Sequence, residues 1–319
     1  MNHDRRVLLA GAGALLAAPA HAQQRFPERP IEIVVGFTPG GGTDIMARTF
    51  ARFLEARIGG SVVVQNRPGA GGEVAFAAVA RSRPDGHTLI ATTMPAFLTI
   101  PIERTPQYQP AQFVPVALIV SDPSCIAVHQ QSNIRTLADL IDQAKREPER
   151  LTFGSPGIGT DDHLQLVLLQ LAAGIRLTSV NFPGSAQIRT ALLGRHVDTI
   201  GLNVGEIAAS PENMRMLAHS GDRRSIFARD VPTYKELGLD VDMSSERGIA
   251  APAGTPPEIL ARLREATAAV AQDPAFIRAM EEQYTEMRFV PGEAWAAELR
   301  ERQAQFEALW RRSPWREAR

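Results

Sequence analysis

Three consecutive residues, Asp161, Asp162 and His163, are of the types that perform acid–base chemistry or bind metals. A carboxylate beside an imidazole could move a proton, and an imidazole nitrogen is a common zinc ligand. No second ligand stands at metal spacing from His163, and the chain contains neither a Gly-x-Ser-x-Gly nor a Gly-x-x-x-x-Gly-Lys-Ser/Thr motif. Packing or helix capping therefore explains His163 better than catalysis or metal binding, and we expect no metal and no cofactor.

These residues follow a glycine-rich stretch, residues 154–160, with a short predicted strand before it and a helical apolar pattern after it. Residues 31–44 have the same order: a buried strand, a loop with three consecutive glycines and the start of an amphipathic helix. The first N–H groups of a helix have no partner within it and attract anions. Each loop therefore predicts an anion site, although a tight turn capped by Thr43 or Asp44 explains the first loop equally well.

Polar residues also end two other predicted strands. Thr92 and Thr93 close the strand at residues 88–92, and Asn203 closes the strand at residues 199–203. In open parallel sheets, ligands bind beyond the carboxyl ends of the strands. These side chains could therefore reach the same ligand as the glycine-rich loops, although strand termination alone would also explain the two threonines.

Strands and helices alternate along the chain, which predicts an α/β protein with a largely parallel sheet. Residues 1–22 resemble an export signal with a cleavage site near Ala22, so we expect a periplasmic protein whose remaining length, about 300 residues, forms two domains. A net charge of −1 gives no indication of nucleic-acid binding. The single cysteine, Cys125, excludes an internal disulfide and is expected to be a buried, inert thiol.

The chain crosses between two lobes twice in this interpretation. Strands at residues 116–120 and 124–128 flank the first crossing, and a strand at residues 248–252 makes the return. The predicted lobe 1 and lobe 2 are, respectively, residues 23–121 plus 247–319, and residues 122–246. The remaining pattern predicts a loop at residues 101–115 and helices at residues 234–237, 276–282 and 295–310.

Five short motifs stand in order along nearly the whole chain after the signal. They are Pro30-Ile31 with Phe37-Thr38-Pro39-Gly40-Gly41, Asp44 and Ala47-Arg48; Val64-Gln65-Asn66-Arg67-Pro68-Gly69-Ala70-Gly71-Gly72 with Pro84-Asp85-Gly86; Phe153-Gly154-Ser155-Pro156-Gly157 with Gly159-Thr160; Leu193-Gly194 with Val197-Asp198 and Val231-Pro232-Thr233; and Gly248-Ile249-Ala250-Ala251-Pro252-Ala253-Gly254-Thr255-Pro256. In this order they resemble the receptors of tripartite tricarboxylate transporters, the Bug-type extracytoplasmic solute-binding proteins.

The resemblance implies a two-lobed periplasmic-binding-protein fold, type II-like, that closes around a ligand as a Venus flytrap does. It implies a monomeric receptor, not an enzyme, that binds a di- or tricarboxylate, an acidic amino acid or an aromatic acid. The receptor would deliver this ligand to the membrane subunits of a tripartite tricarboxylate-type transporter. The alternatives are an orphan receptor for a sensor protein, and an exported enzyme with Asp161, Asp162 or His163 as acid or base.

Members of this family are expected to hold a carboxylate with main-chain groups, hydroxyls and water from both lobes, rather than with a buried arginine. The candidate ligand-binding residues are Phe37, Thr38, Gly41, Gly42, Thr43, Asp44, Thr92, Thr93, Ser155, Gly159, Thr160, Asp161, Pro183, Gly184 and Asn203.

Some positions depart from the pattern of the family. His87 stands where a tyrosine is frequent, residues 181–184 lack a lysine that is usual there, and Glu246 stands where an aromatic residue is frequent. Glu206 and Glu246 could repel a second carboxylate on the ligand or accept an ammonium group. The far end of the ligand is therefore the part that the resemblance predicts least.

Overall fold

The computed structural model describes residues 26–315, so the predicted signal peptide at residues 1–22 lies outside the described residues. The strands are β1 Ile31–Val35, β2 Val62–Asn66, β3 Thr88–Met94, β4 Phe113–His129, β5 Thr152–Ser155, β6 Thr178–Asn181, β7 Thr199–Asn203, β8 Met214–His219, β9 Ser244–Pro252 and β10 Met287–Pro291. The helices are α1 Gly42–Ile58, α2 Glu73–Ala80, α3 Ala96–Glu103, α4 Leu137–Arg146, α5 Asp161–Ala173, α6 Ser185–Leu193, α7 Val204–Ala208, α8 Pro257–Ala271, α9 Pro274–Glu281 and α10 Gly292–Arg312.

The strands form a continuous sheet in the order β2-β1-β3-β9-β4-β7-β5-β6, and β8 and β10 also pair with β4. Around β1 the pairing with β2 and β3 is parallel, and around β5 the pairing with β6 and β7 is parallel. We call the part around β1–β3 lobe 1 and the part around β5–β7 lobe 2. The strands β4 and β9, which are antiparallel to each other, connect the two lobes.

The first crossing is one long strand, so the prediction of two strands at residues 116–120 and 124–128 was wrong. The intervening residues Ser121–Pro123 stay in the sheet, opposite residues 244–246 of β9. Proline removes a backbone donor, but Pro123 does not end β4. From Ser124 onward, β4 pairs with β7 and β8. The exact boundary between the lobes, at residues 121/122 and 246/247, stays a prediction.

Two other predictions of local structure were also wrong, and one strand was missed. Residues 101–115 are not a single loop, because α3 continues to Glu103 and β4 begins at Phe113. Residues 234–237 form turns, in which Thr233 and Glu236 cap each other's backbone N–H groups at 2.8 and 3.0 Å. The strand β10, between α9 and α10, was not predicted.

The buried residues explain why these elements form. Strand β1 is covered on both faces, so both Ile33 and Val34 are fully buried, as expected of a central parallel strand. Helix α1 buries Met46, Phe50 and Leu54, which recur at helical spacing. Cys125 is buried within β4, as expected. No helix within residues 26–315 is long and apolar enough to cross a membrane.

Candidate functional site

A pocket lies between the two lobes, where the loops after β1 and β5 face each other. We call it the inner pocket, and its free volume is about 50 Å³. That volume holds a few water molecules or one carboxylate-sized group. Its lining residues are Phe37, Thr38, Gly41, Gly42, Thr43, Thr93, Ala96, Pro156, Thr160, Asp161, Asp162, Gly184, Ser185, Asn203, Glu206, Ser245 and Arg247.

The beginning of helix α1 forms the lobe 1 side of the inner pocket. The N-cap residue is Gly41, which has no side chain to satisfy the first N–H groups of the helix. The hydroxyls of Thr43 and Thr93 are hydrogen-bonded to each other at 2.9 Å. The helix start therefore places Gly41, Gly42 and Thr43 in the pocket lining, with first N–H groups that no side chain of the N-cap residue satisfies.

Asp44 lies beside this helix start but outside the pocket lining. Its carboxylate accepts hydrogen bonds from Gly40 N at 2.9 Å, Asn66 Nδ2 at 2.8 Å and Arg48 Nε at 3.0 Å. Burial acts to raise the pKa of Asp44, but these hydrogen bonds outweigh it and lower the pKa. Asp44 therefore orders the loop as a carboxylate whose partners are all from the protein.

The beginning of helix α5 forms part of the lobe 2 side. Thr160 caps the helix, because its Oγ1 accepts from His163 N at 3.4 Å. Nδ1 of His163 accepts from Gly159 N at 3.3 Å, and burial lowers the pKa of His163 to about 4. A neutral, hydrogen-bonded imidazole of this kind has a capping and packing role. Within residues 26–315, no group of His, Cys, Asp and Glu side chains could hold a metal ion.

Asn203 links a buried network across the floor of the pocket. Its Nδ2 donates to Asp161 Oδ2 at 2.7 Å, and Asp161 also accepts from Ser124 Oγ at 2.9 Å. Its Oδ1 accepts from Arg247 Nη2 at 2.7 Å. Arg247 is 2% exposed and forms a buried ion pair with Asp122, with 3.3 Å between Nη1 and Oδ2. The network therefore fixes Arg247 at the pocket through partners on β4 and β7.

Several acidic side chains at the pocket have perturbed pKa values. Burial raises the pKa of Asp161 and raises that of Asp162 well above its ordinary value, with the charge of Asp161 contributing to the shift of Asp162. Burial also raises the pKa of Asp122 to about 7, against the opposing charge of Arg247. Within the described part of the chain, two buried polar atoms of lining residues have no hydrogen-bond partner, Oδ1 of Asp162 and Nε of Arg247.

Glu206 joins the two lobes at the inner pocket. Its Oε1 accepts from Gly42 N at 3.2 Å and from Ser185 Oγ at 2.8 Å, and its Oε2 accepts from Asn203 N at 3.3 Å. Glu206 thus places a carboxylate of the protein at the start of α1. Glu246 has a different surrounding: it is buried away from the lining, beside Arg288 at 3.2 Å and Arg302 at 3.5 Å.

A larger space, which we call the outer chamber, adjoins the inner pocket and shares three lining residues with it. Its free volume is about 550 Å³, and Phe37, Thr38 and Pro156 line both spaces. Its other lining residues are Gly36, Pro68, Gly69, Ala70, Gly71, Arg104, Gly157, Ile158, Asn181, Phe182 and Pro183. Arg104 is the charged residue of this lining, and it forms ion pairs with Glu73 at 2.9 Å and Glu103 at 3.3 Å.

The structure brings most of the predicted site residues together. Those at the inner pocket or outer chamber are Phe37, Thr38, Gly41, Gly42, Thr43, Thr93, Thr160, Asp161, Pro183, Gly184 and Asn203.

Four predicted residues lie outside both linings: Asp44, Thr92, Ser155 and Gly159. The Thr92 hydroxyl donates to Gly248 O at 3.2 Å, and Ser155 is fully buried beside Asn181. Gly159 O accepts from Thr99 Oγ1 at 2.6 Å, so this loop contacts α3 of lobe 1.

Arg247 was missed as a site residue. A buried arginine in the lining also differs from the expectation that the resemblance gave. The signal in the sequence was the pair Glu246-Arg247, the two charged residues of this strand, and alternation places their side chains on opposite faces. Only one of them could therefore face the cleft, and the sequence alone does not say which.

Comparison with known proteins agrees with this architecture. A family model described as the tripartite tricarboxylate transporter family receptor matches residues 46–298. Protein BugT of Bordetella pertussis is 33% identical to this chain over 291 residues, which cover 88% of this chain and 88% of BugT.

Two solved structures extend this similarity to the fold. The structure of R. palustris Rpa4515 with adipate has a TM-score of 0.84 at 29% identity, covering 90% of this chain and 97% of that one. MatC (Rpa3494) from Rhodopseudomonas palustris with bound malate has a TM-score of 0.82 at 25% identity, covering 89% and 99%. The predicted two-lobed periplasmic-binding-protein fold is confirmed.

Proposed function

We propose, from the premise that this chain belongs to the tripartite tricarboxylate transporter receptor family, that it captures one small carboxylate in the inner pocket. The two lobes close over the ligand, and the closed receptor delivers it to the membrane subunits of a tripartite tricarboxylate-type transporter. The chain acts in the periplasm after cleavage near Ala22. The relatives whose structures carry adipate and malate support a carboxylate as the class of ligand.

One observation carries the proposal: main-chain donors at the start of α1 and the buried guanidinium of Arg247 meet at the same pocket between the lobes. A helix start contributes roughly 0.3–1 kcal/mol toward binding an anion. A hydrogen bond to a charged group contributes roughly 1.5–3 kcal/mol. A few such contacts, in a pocket large enough for one carboxylate, support specific binding of that group.

Closure requires bending between the lobes, and β4 and β9 are the two segments that cross. We propose that they bend near the predicted lobe boundaries at residues 121/122 and 246/247. Ser121 and Glu246 stand opposite each other in the pairing of β4 with β9, so both crossings bend at the same level of the sheet. A hinge at paired strands allows a rigid-body closure of each lobe.

The chain is proposed to be a receptor and not an enzyme, because two of the three acid–base candidates, Asp161 and His163, already have roles within the protein. Asp161 accepts hydrogen bonds from Ser124 and Asn203, and His163 is a neutral acceptor for a backbone N–H. An enzyme would need one of these groups to exchange a proton with the substrate.

Mass spectrometry of the purified protein tests this proposal. The protein is measured under native conditions, and the small molecule released by denaturation is identified. We expect one bound carboxylate molecule per chain. After the protein is refolded and incubated with that compound for hours, we expect to recover the compound unchanged. Conversion of the compound would indicate the enzyme, and a copurifying ligand without a carboxylate would contradict the proposal.

A further inference from the structure

Two residues that line the inner pocket each carry a buried polar atom without a hydrogen-bond partner among residues 26–315. Nε of Arg247 and Oδ1 of Asp162 have no hydrogen-bond partner, and each residue is 2% exposed. A buried polar atom without a partner is costly, so an atom of this kind in a pocket lining indicates a group on the ligand. The Arg247 N–H requires an acceptor such as a carboxylate. The Asp162 oxygen is satisfied by a donor.

The acidic side chains around the pocket favour a hydrogen-bond donor, rather than a second carboxylate, beside that carboxylate. Asp161, Asp162 and Glu206 line the pocket with Arg247, and Arg247 is already paired with Asp122. The carboxylate of Glu206 also occupies the first N–H of α1, at Gly42. A second carboxylate on the ligand would meet these acids in a poorly solvated space, whereas an ammonium group offers them three donors.

The outer chamber offers no free cation for a carboxylate at the far end of the ligand. Its one arginine, Arg104, is already paired with Glu73 and Glu103. Phe37, Phe182 and Ile158 give its wall an apolar character. An aromatic or aliphatic tail gains free energy by covering such surface. The charge pattern therefore differs between the two spaces: polar and acidic inside, apolar outside.

We infer that Glu206 and Asp162 make the site specific for a monocarboxylate with an amine beside its carboxylate and an apolar tail, and exclude di- and tricarboxylates. The carboxylate of the ligand binds the free N–H groups of α1 and Arg247. Its amine donates to Glu206 and Asp162, and its tail lies in the outer chamber. This inference rests on the proposed carboxylate-binding function and narrows it to one class.

Titration calorimetry with matched compounds tests the inference. The first set shares a benzyl tail. Beside the carboxylate, phenylalanine carries an amine, benzylmalonate carries a second carboxylate and 3-phenylpropanoate carries neither. The set 2-aminobutanoate, ethylmalonate and butanoate repeats the comparison with a short tail. We expect the wild-type protein to bind the amine-bearing member of at least one set at least ten-fold more tightly than its two counterparts.

Glu206→Gln tests the residue directly, because glutamine keeps the shape and the acceptor oxygen that caps the start of α7. We expect the variant to lose at least ten-fold of the preference for the amine. Glu212→Gln is the control, because Glu212 is exposed and the substitution removes the same charge away from the pocket. This variant should keep the preference for the amine. Asp162→Ala serves as the second variant if Glu206→Gln does not fold, and it should show the same loss because it removes the unpaired acceptor Oδ1.

The outcomes separate the inference from the proposed function. Tighter binding of benzylmalonate or ethylmalonate by the wild-type protein overturns the inference and leaves the carboxylate receptor standing. An equal gain in affinity for all acids in Glu206→Gln would also overturn it, because Glu206 would then only compete with the ligand for Gly42. Absence of binding for all six acids and for adipate and malate would contradict the proposed function itself.

Discussion

Gly184 at the start of α6 lies directly against the hydroxyl of Thr38 in the loop after β1. A Cβ added at Gly184 would stand 2.7 Å from Thr38 Oγ1, which is closer than ordinary packing allows. The two residues are on opposite lobes and both line the inner pocket. A side chain at position 184 would therefore require the Thr38 hydroxyl to move or the two lobes to separate.

Gly184→Ala should consequently hold the lobes apart. The φ of Gly184 is 174°, an extended backbone that alanine adopts without strain, so we expect folding to be retained. Ligand affinity should fall about ten-fold, because closure would cost roughly 1.4 kcal/mol more. Calorimetry measures the affinity, and small-angle scattering measures the separation of the lobes.

The matched control for this variant is a double-mutant cycle with Thr38→Ala. Removing the Thr38 hydroxyl relieves the clash, so Gly184→Ala should cost less affinity in the Thr38→Ala background than in the wild-type protein. Equal losses in both backgrounds would show that Gly184 acts by some other route.

Arg247→Met should destabilise the folded protein strongly. The substitution leaves the buried carboxylate of Asp122 without its ion-pair partner at 3.3 Å and frees Oδ1 of Asn203. Removing one partner of a buried pair costs about 3–5 kcal/mol in the free energy of unfolding. Urea denaturation at pH 9, above the pKa of about 7 to which burial raises Asp122, measures this quantity.

The double variant Arg247→Met/Asp122→Asn is the control for the loss of stability in Arg247→Met. The double variant should be more stable than Arg247→Met alone, because no unpaired charge is then buried. A loss below 1 kcal/mol in the single variant would mean that Asp122 is protonated and does not need Arg247.

His163 should make the protein less stable in mild acid. Burial lowers its pKa from the ordinary 6.5 to about 4, so between these values the unfolded chain binds a proton that the folded chain does not. Stability therefore rises with pH over this window, and the contribution lost on going from pH 7 to pH 4 is about 3 kcal/mol.

His163→Asn removes this titration while keeping an acceptor for Gly159 N. Between pH 7 and pH 4, the free energy of unfolding of the variant should fall by about 3 kcal/mol less than that of the wild-type protein. Urea denaturation at each pH measures this difference. Parallel stability curves for the two proteins would mean that His163 is protonated in the folded state.

The sequence predicted the elements that hold the site better than the residues that complete it. The loop before α1 could be recognised because glycines between a buried strand and an amphipathic helix have a plain physical meaning. Of the residues that the rule on strand ends indicated, Thr93 and Asn203 line the inner pocket, whereas Thr92 does not. These arguments depend on local patterns, which a single sequence contains.

Long-range contacts were the part that the sequence could not supply. Glu206 was noted, but its hydrogen bond to Gly42 spans 164 positions. Arg247 depends on which face of β9 turns to the cleft, and this is set by the pairing of β9 with β4. Gly159 matched the motif of the family but contacts α3. Its φ is +78°, so a larger residue there would strain the backbone, and a loss of binding would not show that Gly159 contacts the ligand.

Binding of the copurifying carboxylate to Gly41→Val, measured by titration calorimetry, tests the central claim most directly. The φ of Gly41 is −81°, and a Cβ there would lie 3.8 Å from Thr38 O, so we expect the fold to accommodate valine. Gly41 lines a pocket of about 50 Å³, and we expect the valine methyl groups to fill it. Ala186→Val, on an exposed position of α6, is the control of equal type. We predict one site per chain in the wild-type protein and in Ala186→Val, and no measurable binding in a folded Gly41→Val. Wild-type affinity in Gly41→Val would contradict the assignment of the ligand to the inner pocket.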